Sequence, residues 1–192
     1  MVLEGNLVVL REERTEDMDL LVTLRNNLDT QAWGKALPPD YTLPMYIKRF
    51  EERTFSYDRS EGRFIIILKE IQEIVGMIVY SDLQPRFEAT IGIAILKKYW
   101  GQGIAYDAQE TLLKFLFVEL GVRVVRLWTQ DGNKGMVKLA QRSGFKISGR
   151  LRQAAFIRGN LYDTLIIDLL REEYFALHPE LIDNLPKIQV GQ

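Results

Sequence analysis

Apolar and polar positions along this chain follow two periods, and the order in which they alternate predicts the elements. Asn6 to Arg11 is a short apolar run of strand type, closed by charged residues at Glu12 to Arg14. Thr15 then reads as a helix N-cap, with Glu16 and Asp17 in the first turn and Leu20, Leu21 and Leu24 on one face. From Asn26 to Thr42 neither period holds, and Gly34, Pro38 and Pro39 predict a loop that carries Trp33 and Tyr41. A second helix is predicted from Leu43 to Phe55, with Tyr46, Ile47 and Phe50 as its apolar side. Arg63 to Leu68 and Ile74 to Tyr80 are β-rich and joined by a short charged link, which predicts an antiparallel hairpin. Glu88 to Leu96 supplies a third strand of that group.

The second half is more regular. A helix after Gly103 carries Ala105, Ala108, Leu112, Phe115 and Leu116 on one stripe and ends at Gly121. Val124 to Thr129 reads as a strand, Lys134 to Arg142 as a helix, and Lys146 to Ile157 with Leu161 to Leu170 as a strand pair turning at Arg158 to Asn160. The Leu- and Ile-rich run from Asn160 to Leu170 alternates poorly, the pattern of a strand buried on both faces. This order is that of an α+β fold with a mostly antiparallel, twisted sheet of about seven strands flanked by about four helices. Residues 1–173 are expected to form one domain. Residues 174–192, polar with Pro179 and Pro186, are expected to be a tail or an oligomer contact.

Composition narrows the chemistry by exclusion. With 192 residues, 47% hydrophobic and 27% charged, the chain has the make-up of an ordinary globular domain. A net charge of −1 argues against a nucleic-acid or membrane-surface partner. The absence of cysteine and the single His178 leave no thiolate metal site, no zinc cluster and no Ser-His-Asp triad. No apolar run reaches membrane-spanning length and the first residues do not form a secretion signal, so a cytoplasmic protein is expected.

Against that background the stretch from Ile91 to Ala105 stands out. An apolar strand runs into a turn with glycines at 101 and 103, and the turn opens directly onto a helix. Between Lys97 and Ala105 no Ser, Thr, Asp or Asn supplies a capping oxygen. The first N–H groups of that helix are therefore either hydrated or kept for a ligand, and an anion is the ligand that suits them. The glycines alone serve a tight turn equally well. Charge is divided in the same sense. Residues 96–160 hold twelve Lys/Arg against four Asp/Glu, and residues 12–61 hold seven against eleven.

The segment Lys98, Tyr99, Trp100, Gly101, Gln102, Gly103, Ile104, Ala105 resembles the phosphate loop of the GNAT acyltransferases, which move an acetyl group from acetyl-coenzyme A to an amine. Leu10-Arg11, Asn133 and Gly144-Phe145 fit the same pattern. Together they are similar to the branch of ribosomal-protein N-terminal acetyltransferases, the RimJ/RimL type. The resemblance runs from Gly5 to about Glu173. Lys98 stands where Arg or Gln is usual, Met136 where many relatives carry Ser, and the tyrosine that other branches use as proton donor in that helix is missing.

The resemblance implies acetyl-coenzyme A as cosubstrate, no metal, and contacts to it from Ile93, Ile95, Lys98, Trp100, Gly101, Gln102, Gly103, Ile104, Ala105 and Asn133. The side chains of Ile93 and Ile95 read as core, so their backbone is what would act; Asn133 also reads as an N-cap. Relatives build the acceptor cleft where Trp33, Tyr41 and Tyr46 lie. Chemistry sets the rest. A thiol of pKa ~8.5 is a fair leaving group, and an α-amine of pKa ~7.8 is roughly 10–15% neutral at pH 7. Demand on an acid or base is thus modest for an N-terminal acceptor and greater for a lysine or polyamine. Glu88 is the nearest carboxylate for a base, and Tyr162 a tyrosine to test as proton donor. The expected function is N-acetyl transfer to a primary amine, a protein N-terminus or a small molecule, by direct attack in a ternary complex. The alternative is a non-catalytic acyl-coenzyme A or partner-binding module on the same fold. Relatives are often dimers, so a homodimer is within the expectation.

Overall fold

A computed structural model describes residues 1–33, 42–54 and 60–182. The strands are β1 (Val2–Glu4), β2 (Val8–Glu12), β3 (Gly62–Leu68), β4 (Glu73–Gln84), β5 (Glu88–Ile95), β6 (Val124–Gln130), β7 (Lys146–Ile157) and β8 (Asn160–Leu170). The helices are α1 (Met18–Asn26), α2 (Leu28–Gln31), α3 (Leu43–Thr54), α4 (Ile104–Lys114), α5 (Lys134–Arg142) and α6 (Arg171–Leu177), and a π-helical turn, Phe115–Glu119, prolongs α4. One sheet runs in the order β1-β2-β3-β4-β5-β6-β8-β7, antiparallel at every pairing except the parallel β5–β6. The predicted mixed α+β architecture is the observed one. The three-residue β1 and the four-residue α2 are too short to carry a period, so they escape a periodic reading.

The sheet holds its apolar residues on both sides at its centre. In β3, Phe64 and Ile66 enter the larger core with α4 and α6, while the intervening Ile65 joins Met77 of β4 under α1 and α3. Met18, Leu21 and Leu24 of α1 and Tyr46 of α3 complete that smaller core. The two-faced burial expected of β8 belongs instead to β3. In β8 Leu165, Ile167 and Leu169 are buried with the main core; on the alternate face Thr164 is buried, but Ile166 is part-exposed and Leu170 exposed. A Leu/Ile-rich composition fills both faces of a strand without requiring that both be covered. Arg158 and Gly159 turn the β7–β8 hairpin with positive φ at both residues, 48° and 85°.

Two carboxylates fasten the N-terminal segment. Asp107, in the first turn of α4, accepts N–H bonds from Asn6 (2.9 Å), Leu7 (2.7 Å) and Val8 (3.0 Å), fixing the β1–β2 turn. Asp17 does the capping work expected of Thr15. It accepts from the Arg14 N–H at 2.7 Å and takes both guanidinium nitrogens of Arg11 at 2.7 and 2.8 Å. At the other end, α6 crosses residue 173, the expected end of the domain, and buries Tyr174 and Phe175 in the main core.

Burial raises the Asp17 carboxyl, but the Arg11 fork and the Arg14 N–H outweigh it and leave the pKa below the ordinary Asp value. A depressed carboxyl pKa adds stability above the unfolded value of about 3.9, and the gain is lost as pH falls through the folded value. Asp17→Asn should therefore cost about 2–3 kcal/mol at pH 7, and the gap should narrow below about pH 4. Urea midpoints at pH 7 and pH 3 check this, and a gap independent of pH would exclude the ion pair as its source.

Candidate active site

The site begins where two neighbouring strands part. β5 and β6 pair at Glu88–Val124, Ala89–Val125 and Thr90–Arg126 and no further. Beyond Thr90 the edge of β5 that faces β6 has no strand beside it, and a cavity of about 600 Å³ opens there, with Ile93, Ala94 and Ile95 in its wall. Backbone groups along that edge are available to an elongated ligand that lies between the strands in place of a neighbouring strand.

The glycine turn closes one end of the cavity. Gly101 and Gly103 have φ of 76° and 80°, values that an L side chain adopts only with strain. Gly103 is the N-cap of α4 and no side chain caps that helix; the Asp107 N–H is bonded to the Gly103 carbonyl at 3.1 Å. Gly101, Gly103, Ile104, Ala105 and Tyr106 line the cavity, so the uncapped end of an eleven-residue helix faces it. That arrangement can hold a phosphate or pyrophosphate through backbone donors alone. A Cβ at Gly101 would meet nothing within 4 Å, so its requirement is backbone conformation rather than space.

Around the turn, side chains divide between lining and bracing. The half-exposed Trp100 lines the cavity, and its indole N–H donates to the Ile95 carbonyl at 2.8 Å. Lys98 and Gln102 do not line it. The Lys98 ammonium lies 3.3 Å from Glu73, and Gln102 donates to the Lys98 carbonyl at 3.0 Å, so both shape the loop. Tyr99 donates to Glu73 at 2.5 Å and, with Lys98, holds that carboxyl below its ordinary range. Asn133 lines the cavity as the N-cap of α5. Its side-chain oxygen accepts from the Met136 N–H at 3.2 Å and its amide donates to Thr129 at 3.1 Å.

At the opposite end, Trp33 reaches the cavity and meets Tyr162 edge-on, ring centres 5.1 Å apart. Both rings close on Gly132, where a Cβ would lie 2.5 Å from each. Asp29 and Thr30 of α2 stand beside them. Asp29 is bound by Lys97 at 2.9 Å and by Arg158 at 3.1 Å, and the Lys97 hydrogen bond leads in holding its carboxyl below the usual range. Lys97 and Arg158 thus tether α2 to the strand β5 exit and to the β7–β8 turn.

Like Lys98 and Gln102, the expected site residues Tyr46 and Glu88 do not line the cavity. Tyr46 is a core residue, 3% exposed, whose hydroxyl accepts from the Arg25 Nε at 3.1 Å; its helical stripe faces the sheet, not the cleft. Glu88 lies at the paired end of β5, in an ion pair with Arg126 and accepting from Gln84 at 2.9 Å, away from the cavity lining. Tyr41 lies outside the described residues. Asp29, Tyr106, Lys134, Lys138 and Arg142 line the cavity without having been singled out in the sequence. The last three repeat every fourth residue along α5, a spacing that was there to be seen. Among the described residues no cluster of His, Cys, Asp or Glu could hold a metal ion, and no helix is long and apolar enough to cross a membrane.

Comparison with known proteins adds an independent finding. The family model described as the acetyltransferase (GNAT) domain matches residues 8–146. A Bacillus licheniformis protein named uncharacterized N-acetyltransferase p20 is 27% identical over 179 residues, 87% of this chain and 94% of its own. Among solved structures, the spermidine N-acetyltransferase of Vibrio cholerae, in complex with CoA and spermine, superimposes with a TM-score of 0.82 at 20% identity. It covers 89% of this chain and 99% of its own. RimL, named as a ribosomal L7/L12 alpha-N-protein acetyltransferase in complex with coenzyme A, gives 0.76 at 17% identity over 88% and 98%.

The Trp33–Tyr162–Gly132 cluster makes its own prediction. Gly132→Ala forces the two rings apart and should destabilise the protein by about 1–3 kcal/mol through overpacking. Chemical denaturation measures it; an unchanged midpoint would mean that the rings do not rest on Gly132.

Proposed function

The chain belongs to the GNAT acetyltransferase family, and from that premise we propose how its cavity performs acetyl transfer and which acceptor it serves. It is an acetyl-coenzyme A-dependent N-acetyltransferase acting on a primary amine. Our reading seats the pyrophosphate on the N–H groups from Gly101 to Tyr106 and runs the pantetheine along the unpaired edge of β5, beside Ile93 and Ile95. Asn133 borders it from α5. The observation that carries this assignment is the uncapped α4 N-terminus facing a cavity that continues between two parted strands.

In that pose the thioester carbonyl lies against the β5 backbone, where N–H donors can stabilise the oxygen as it gains charge. The amine nitrogen attacks and the new C–N bond forms; the C–S bond breaks with its electron pair leaving on the coenzyme thiolate, which takes up a proton, and the nitrogen gives up a proton to solvent. Trp33 and Asp29 line the cavity on the acceptor side, and Tyr162 packs against Trp33 from behind that lining. Between the two candidates for proton transfer we retain Tyr162, one ring contact from the cavity, and not Glu88, which lies at the paired end of β5. The reading extends to the RimJ/RimL branch and an N-terminal α-amine as acceptor. It is supported by the absence of an unpaired carboxylate base among the described cavity residues, since an α-amine needs the least help to lose its proton. A homodimer fits the same reading, because Trp128, Leu151 and Leu170 are exposed on one face of β6, β7 and β8.

Two measurements test it. Acetyl-coenzyme A at a hundredfold over its Kd should stabilise the native protein by about 2.7 kcal/mol, and Gly101→Glu should abolish that gain. A wild type whose melting point does not move would overturn the coenzyme assignment. Turnover across N-terminal peptides, polyamines and lysine peptides should favour the first. There Tyr162→Phe should lower kcat at least about 10-fold with little change in KM for the coenzyme; an unchanged kcat would leave Tyr162 a packing partner of Trp33.

A further inference from the structure

The α5 wall of the cavity carries more positive charge than a pyrophosphate held by backbone N–H groups requires. Lys134, Lys138 and Arg142 lie four residues apart on one face, all exposed and all lining the cavity. Like charges at that spacing repel along a helix, and among the described residues none of the three has a carboxylate within ion-pair distance. They are not equivalent. The Lys134 ammonium turns back to the Asp131 carbonyl at 2.8 Å. Arg142 is held in place: its guanidinium lies over the Tyr106 ring, 3.8 Å from the centroid. Tyr106 belongs to the first turn of α4, so this fixed guanidinium stands next to the N–H groups that receive the pyrophosphate. Lys138 lies one helical turn before it.

We propose that Lys138 and Arg142, with Tyr106 beneath the guanidinium, form a subsite for the 3′-phosphate of the coenzyme and make the enzyme selective for the 3′-phosphorylated form. The inference rests on the coenzyme reading above and adds to it. Backbone donors recognise the pyrophosphate that coenzyme A and 3′-dephospho-coenzyme A share; the α5 cations recognise the one phosphate that separates them. Stacking on Tyr106 pre-orders Arg142, so less side-chain freedom is lost when the phosphate binds.

Calorimetric titration of the full chain with coenzyme A and with 3′-dephospho-coenzyme A tests this. The wild type should prefer coenzyme A by about 10- to 100-fold, the range of one or two charge-assisted hydrogen bonds. Lys138→Gln/Arg142→Gln should bring the ratio close to one by weakening only coenzyme A, and Arg142→Lys should recover part of it. Both substitutions are on exposed side chains, and an unliganded melting curve for each variant confirms that it folds. Equal affinity of the wild type for both ligands overturns the subsite and leaves the coenzyme assignment standing. So does an equal loss of both in the double variant. Failure of the wild type to bind either ligand overturns both.

Discussion

A sheet that is continuous everywhere else is interrupted at one seam, where β5 and β6 pair over three residues and then separate. The cavity opens at that separation. Backbone groups that a full ladder would have consumed are left facing a cavity, and the cavity is wide enough for an extended molecule to lie where the next stretch of strand would be. The pairing is also the sheet's one parallel step. A parallel step requires a crossover, and here the crossover is α4 with the glycine turn at its head. Seam and anion site are therefore consequences of the same connection, which is why they lie side by side.

The two sides of the cavity solve different problems. At the glycine turn, the lining offers main-chain donors at a helix end, with the cations of α5 beside them. On the acceptor side the wall draws on distant segments, with Trp33 from the end of α2, Gly132 from the β6–α5 turn and Tyr162 from β8.

How much was legible follows from that division. The glycine turn could be read because its signals are local: positive φ, a missing cap and a strand running into a helix all lie within fifteen residues. The parting of β5 from β6 could not, since it depends on which strands become neighbours. Tyr46 looked like a cleft residue by position along the chain, yet its own helical stripe with Ile47 and Phe50 pointed to the core. Glu88 looked available because its partner, Arg126, is 38 positions away and meets it only through the parallel pairing. Asp29 was overlooked for the same reason: Lys97 and Arg158, which make it part of the cavity wall, are 68 and 129 residues distant. Long-range partnerships are what a periodic reading lacks.

The Asp107 carboxylate that gathers the Asn6, Leu7 and Val8 N–H groups has a consequence for the order in which the molecule is built. As synthesis proceeds, the residues of β1 and β2 leave the ribosome about a hundred positions ahead of the side chain that secures their turn. Their sheet partner β3 also comes more than fifty residues later. These two strands therefore gain their bonds to Asp107 only once α4 has been made, and the helix whose N-terminus faces the cavity is also the one that secures the far edge of the sheet.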